Sequence, residues 1–180
     1  RLFAQSAALP AITCAVVHPC DRDSLEGALE AAARGMIVPT LVGPEAKIRA
    51  AAAACGADLA NVAIVATEHS HAAAAAATAM ARDGKVESLM KGSLHTEELM
   101  EAVVARESGL RTARRMSHVF VLDVPAYPRL LLVTDAAINI APGLDTKADI
   151  ARNALDLARI LGIESPKLAI LAAVEVVNSR

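Results

Sequence analysis

Val86-Glu87-Ser88-Leu89-Met90-Lys91-Gly92-Ser93-Leu94-His95-Thr96 is the stretch from which the fold can be read. The run at 86–90 reads as a buried strand, Gly92 and Ser93 interrupt it, and a helical pattern opens at about Thr96. Small and hydroxyl-bearing residues between a strand and a helix leave backbone N–H groups free at the positive end of that helix, where an anion is stabilised. Gly92, Ser93, His95 and Thr96 are therefore candidate anion-binding residues; an ordinary strand-to-helix loop with a helix cap is the alternative.

Outward from this stretch, further apolar, β-rich runs lie at 13–17, 37–42, 62–66, 119–123, 130–134 and 168–174. Helical patterns separate most of them. Asp23 and Glu26 suit a capping pair at a helix start, with Asp in place of the usual Ser or Thr, and Leu25, Ala28, Leu29 and Ala32 fall on one face. Pro44 suits a first turn and Gly56 an end, with Ile48, Ala51, Ala52 and Cys55 as the apolar stripe. The stretch at 71–82 is nearly all alanine and reads as a tightly packed helix that Gly84 ends. A helix from Thr96 should close near Gly109, and Ile150, Ala154, Leu157 and Leu161 define the last one, stopped by Gly162. Such alternation predicts an α/β fold: a three-layer α/β/α arrangement around a mostly parallel sheet. The link at 124–129 is too short for a crossover helix, so the flanking strands should form a hairpin. A boundary is expected near Pro142-Gly143, giving a first domain at 1–141 and the start of a second at 142–180.

Composition excludes several classes. Aromatic residues are 2% of the 180, the net charge is −2 and no Walker or GxGxxG loop occurs, which excludes a nucleic-acid surface and the commonest nucleotide loops. The three cysteines, Cys14, Cys20 and Cys55, form neither a disulfide framework nor a zinc ribbon and suit a reducing cytoplasm. No apolar run approaches the ~20 residues that span a bilayer. The chain starts at Arg1 without Met or a signal pattern, so it is expected to begin inside a longer polypeptide.

Downstream of the anion loop stand Arg111, Arg114 and Arg115, a guanidinium cluster able to clamp phosphate, with a surface role as the alternative. Asp135 and Asn139 follow the end of a strand, where α/β proteins place functional groups, unless they only close a turn. Glu175 and Asn178 hold the same place after the last apolar run. His69-Ser70-His71 lacks an acid or cysteine partner and reads as an exposed helix start, not a metal site; His118 reads as structural.

Several of these stretches, in this order, resemble the phosphate acetyl/butyryltransferase family. They are 15–20 (AVVHPC), 37–47 (IVPTLVGPEAK), 90–96 (MKGSLHT), 109–123 (GLRTARRMSHVFVLD), 130–140 (LLLVTDAAINI), 146–162 (TKADIARNALDLARILG) and 166–178 (PKLAILAAVEVVN). In detail the likeness is to the butyryltransferase-like branch, some members of which carry a fused hydratase domain. It implies a two-domain fold like that of isocitrate and isopropylmalate dehydrogenases, with the second domain inserted and here incomplete. The implied activity is reversible acyl transfer between coenzyme A and inorganic phosphate. Coenzyme A is a substrate, and no metal or other cofactor is implied.

On this resemblance Ser93, His95, Arg114 and Asp135 are the candidate catalytic residues, and Gly92, Thr96, Arg111, Arg115 and Asn139 the candidate substrate-binding ones. Acetyltransferase-type members carry an arginine–proline pair in the helix after the loop, where this chain has Leu99-Met100-Glu101. Phosphate then falls to one of the three downstream arginines, with Arg114 taken first. In the family a Ser-Arg pair followed by an Asp supplies much of the transition-state stabilisation and the base; no such motif occurs before the chain stops at Arg180, so the chain is expected to be an inactive piece of a catalytic whole. The implied partners are acyl-CoA and phosphate, with no nucleic acid or membrane, in a cytoplasmic homodimer or higher homo-oligomer. A non-catalytic domain that holds CoA or acyl phosphate is the alternative.

Overall fold

The computed structural model describes residues 2–106 and 110–171, in two units, Arg1–Arg111 and Thr112–Arg180. A short helix, Leu2–Ser6 (α1), precedes Ile12–Val17 (β1), the axis of the first unit. From Cys14 to Val17 this strand is buried on both faces, as a central parallel strand without polar alternation must be. Ile37–Gly43 (β2) pairs in parallel with one side of β1, and Ser88–Lys91 (β4) with the other. Ala63–Ala66 (β3) pairs in parallel with β2, so the sheet order is β3-β2-β1-β4.

Helices cover both faces. Arg22–Ala33 (α2) and Glu45–Cys55 (α3) bury Leu25, Ala28, Ile48, Ala51 and Ala52 against Cys14, Val16, Ile37 and Leu41. Fully burying a leucine or isoleucine such as Leu25, Leu41 or Ile48 stabilises by roughly 1.5–3 kcal/mol each. On the opposite face Ser70–Arg82 (α4) lays Ala73, Ala74 and Ala77 on Ala15, Val17 and Val42. Thr96–Val104 (α5) adds Leu99 to the same core. The three-layer α/β/α expectation is met in this unit.

Some helix ends differ from expectation. The cap of α2 is Asp21, whose side chain accepts the Ser24 N–H at 2.8 Å, so Asp23 lies within the first turn and is not the cap. Pro44 precedes α3, and Gly56 closes it at φ 69°, a left-handed conformation that glycine adopts without strain. Helix α5 ends at Val104, short of the expected stop; Gly109 lies outside the described residues.

In the second unit Val119–Leu122 (β5) and Leu131–Thr134 (β6) form the expected antiparallel hairpin, with Phe120 opposite Val133 and Leu122 opposite Leu131. Helix Leu144–Ile160 (α6) packs on β6 and buries Ile150, Ala154 and Ala158, one helical stripe. Leu157 and Leu161, expected on that stripe, lie beside it, half-buried. The strand expected at 168–174 is not formed over 168–171; the rest of it, with Glu175 and Asn178, lies outside the described residues. The boundary expected near Pro142-Gly143 falls inside the second unit. Among the described residues no helix is long and apolar enough to cross a membrane.

Candidate active site

The sheet order β3-β2-β1-β4 reverses direction at β1: the chain builds outward through β2 and β3, then returns to the far side of β1. At such a reversal the loops after the two central strands diverge, and a crevice opens beyond the carboxyl ends of the strands. Here those loops are His18-Pro19-Cys20 after β1 and Gly92 to His95 after β4.

A dense hydrogen-bond clasp joins them. Gly92 N–H donates to Val17 O at 2.8 Å and Ser93 N–H to His18 O at 2.9 Å. The Ser93 hydroxyl donates to His18 O at 2.9 Å and accepts from Cys20 N–H at 3.1 Å. His18 Nδ1 lies 3.1 Å from Ser93 O and 3.4 Å from Ser93 Oγ. His18 holds φ at 55°, a left-handed conformation unusual for a residue with a Cβ. Its N–H donates to Val42 O at 2.7 Å, so β2 and the loop after β4 both fix the strained backbone.

Of the sequence-predicted residues, the structure brings Gly92, Ser93, His95 and Thr96 together at this edge. The Ser93 hydroxyl proton is committed to His18 O, which makes Ser93 a clasp between loops. His95 occupies the cap position of α5 without a side-chain cap bond, so the first-turn N–H groups of α5 have no side-chain acceptor there. The His95 and Thr96 side chains are exposed. Lys91 sits at the same edge, its Nζ 3.3 Å from Gly92 O.

Charges around the crevice are mixed. The Asp21 carboxyl is held below the usual carboxylate range by the Ser24 hydroxyl and N–H, with help from Lys91 and His18. Glu98, in the first turn of α5, is lowered chiefly by a Ser70 side-chain hydrogen bond and then by His71, His95 and His18. Burial pushes the Cys20 thiol up, Lys47 pulls it down, and Asp21 adds to the rise. Burial thus works against the thiolate, the nucleophilic form of Cys20. His69 caps α4 by accepting the Ala72 N–H at 3.2 Å, in keeping with its reading as a helix start. No group of three or more His, Cys, Asp or Glu among the described residues is arranged to hold a metal.

The second unit places its own candidates. Asp135 closes a turn after β6: Oδ1 accepts the N–H groups of His118, Ala137 and Ile138, and Oδ2 accepts the N–H of Asn139 and its side-chain amide. Burial pushes the Asp135 carboxyl up, but Asn139 and the N–H groups of His118, Ile138 and Ala137 outweigh it and hold the pKa at about 2. Asn139 also donates to Met116 O at 2.9 Å. Asp135, Asn139 and Ile140 line an open hollow of about 250 Å³. Arg114 reaches Asp156 at 2.6 Å and Asn153 at 3.4 Å. The backbone N–H of Arg115 binds Asp149 at 2.9 Å, while the side chains of Arg111 and Arg115 are exposed.

His18 and Cys20 received no role from sequence. The available signal was a histidine ending an apolar run just before Pro-Cys-Asp, but their meeting with Ser93 depends on β1 and β4 being neighbours.

Known proteins resemble this chain in sequence and in fold. Residues 66–180 match the model of the phosphate acetyl/butaryl transferase family. A phosphate acetyltransferase of Rhizobium meliloti is 56% identical over 181 residues, covering 100% of this chain and 57% of its own length. A phosphate butyryltransferase of Clostridium acetobutylicum is 37% identical, covering 92% of this chain and 55% of its own length. The crystal structure of a branched-chain phosphotransacylase from Enterococcus faecalis superposes with a TM-score of 0.73 at 25% identity, over 93% of this chain and 58% of that one. The chain therefore spans little more than half the length of these relatives. With a match across more than half of its residues, this chain belongs to the phosphate acetyl/butaryl transferase family.

Proposed function

We propose that the protein moves an acyl group reversibly between coenzyme A and inorganic phosphate, acyl-CoA plus phosphate giving acyl phosphate plus free CoA. The observation that carries this reading is the identity of 56% to a phosphate acetyltransferase along the whole chain, including the loops at the strand-order reversal. Physically the reaction needs phosphate held close and the developing oxyanion stabilised. The uncapped first turn of α5, Lys91 and a downstream arginine suit the first task. Gly92, Ser93, His95, Thr96, Arg111, Arg114, Arg115, Asp135 and Asn139 are the residues this reading assigns to the site. Ser93 contributes by holding the β1 and β4 loops together. Asp135, at a pKa of about 2, is too weak a base for a thiol and serves as a fixed negative charge that orders its turn. The same reading carries the dehydrogenase-like two-domain frame, with a second domain starting after residue 141. It also carries coenzyme A as a substrate with no further cofactor, a cytoplasmic setting and a homo-oligomer.

The test is phosphate-dependent release of CoA by the whole gene product, measured with acetyl-, propionyl- and butyryl-CoA. Release with at least one is expected. Binding of CoA without release from any of the three would replace this reading with a non-catalytic binding domain.

A further inference from the structure

His18 is held by more partners than a loop residue needs. Its carbonyl takes the Ser93 N–H, the Ser93 hydroxyl and the Cys20 N–H, and its own N–H goes to Val42 O. Its ring is fixed too. Ser93 O, 3.1 Å from Nδ1, is a carbonyl oxygen and can only accept, so Nδ1 must carry the hydrogen of that bond. The tautomer follows: in the neutral ring, Nε2 bears the lone pair. Nε2 makes no hydrogen bond among the described residues and is not among the buried polar atoms that lack a partner, so it meets solvent. The left-handed backbone, the fixed tautomer and the open Nε2 coincide at the mouth of the β1/β4 crevice.

We propose, resting on the acyl-transfer reading above, that His18 Nε2 carries the proton on the phosphate side of the reaction. As the thiol sulfur of CoA bonds to the acyl carbon, the carbon–oxygen bond to phosphate breaks and its electron pair goes to the departing oxygen. Nε2, which bears the lone pair in the neutral ring, takes up the proton that the thiol releases and, as Nε2–H, gives it to that oxygen, so hydrogen phosphate leaves. The ring returns to its neutral form with Nε2 free, and no further reactant is consumed. In reverse, Nε2 takes the proton of the attacking phosphate. The phosphate side is favoured over the thiol side because Lys91 and the uncapped first turn of α5 adjoin the same loop. The charged groups that interact with His18 are Asp21 at the start of α2 and Glu98 on α5; Lys91 at the end of β4 also acts on Asp21, and His71 on α4 and His95 at the α5 cap also act on Glu98.

The experiment compares the whole gene product with His18→Asn and His18→Gly. Asparagine tolerates the left-handed backbone and offers an amide N–H where Nδ1–H stood, so it keeps the clasp while removing Nε2. Glycine keeps the backbone and removes the ring. The expected result for both is a fall in kcat of about 10²–10⁴ with phosphate KM within a few-fold, and loss of one limb of the pH–rate profile. Melting midpoints should stay within a few degrees of wild type, and added imidazole should restore part of the rate to His18→Gly. A kcat within threefold of wild type, or a fall that leaves both limbs in place, overturns the proposal while the acyl-transfer reading stands. Failure of the wild-type protein itself to release CoA overturns that reading and this proposal with it.

Discussion

Gly92 and Val17 meet backbone to backbone: the Gly92 N–H donates to Val17 O at 2.8 Å, and a Cβ on residue 92 would lie 2.5 Å from that same oxygen. The contact fuses the loop after β4 to the end of β1, and its tightness has a measurable consequence. Gly92→Ala is expected to destabilise the fold by about 1–3 kcal/mol, because the obstacle is backbone and cannot swing aside. Gly27, inside α2 with nothing within 4 Å of its missing Cβ, provides the opposite sign. Gly27→Ala should stabilise by roughly 0.5–1 kcal/mol. Urea midpoints of both variants check the pair; an equal response would mean the contact at Val17 yields freely.

Ser93→Ala deletes two hydrogen bonds at once, the hydroxyl to His18 O and Cys20 N–H to the hydroxyl. At about 0.5–1.5 kcal/mol each, the fold should lose roughly 1–3 kcal/mol. Because the clasp shapes the anion loop, apparent phosphate affinity should fall as well. Steady-state kinetics alongside a melt separates the two effects. Lost stability with unchanged phosphate KM would leave Ser93 a purely structural clasp.

Asp135 predicts an acid limb. Its folded pKa is about 2 against 3.8 for an ordinary aspartate, a depressed carboxylate. Such a group stabilises the folded state fully above the unfolded value and loses that contribution as pH falls through the folded one. The stability of the wild-type chain should therefore drop between about pH 4 and pH 2. Asp135→Asn should be less stable at neutral pH and flatter across that window, as read from denaturant midpoints at several pH values. An acid limb of equal slope in the variant would place it on other carboxylates.

Arg114 is paired with Asp156, so a phosphate that recruits it must compete with that carboxylate. Asp156→Asn should tighten apparent phosphate affinity, and Arg114→Gln should weaken it by roughly ten- to a hundredfold, the effect of one charge-assisted hydrogen bond. If Arg114→Gln leaves phosphate kinetics unchanged while Arg111→Gln or Arg115→Gln alters them, the phosphate contact belongs to the exposed arginine instead.

Six strands and the helices between them were legible because each carries a local signal: an apolar run, an alanine-rich stripe or a glycine stop. The cap of α2 was misread because Asp21-Arg22-Asp23-Ser24-Leu25-Glu26 holds two aspartates two positions apart. Glu26 lies three beyond Asp23 and imitates a capping pair, whereas the bond that forms runs from Ser24 N–H to Asp21. The anion loop was legible as strand, glycine and helix start. Its partner was not: His18 and Ser93 are 75 positions apart, and only the placement of β4 beside β1 makes them neighbours. A left-handed histidine leaves no mark in a sequence, since residue type alone favours the right-handed and extended regions. The strand expected at 168–174 rested on apolar content alone, and over 168–171 nothing pairs with it.

The alanine run of α4 carries a consequence for how the protein can vary. Ala73, Ala74 and Ala77 have no accessible surface, and α4 lies directly against α5, whose first turn adjoins the crevice. A helix seated this low leaves no room for a larger side chain, so valine or leucine at any of the three would lift it and tilt its neighbour. The plainest stretch of the chain is thus its gauge block: it sets the depth at which the working loop stands, and its freedom to drift is small.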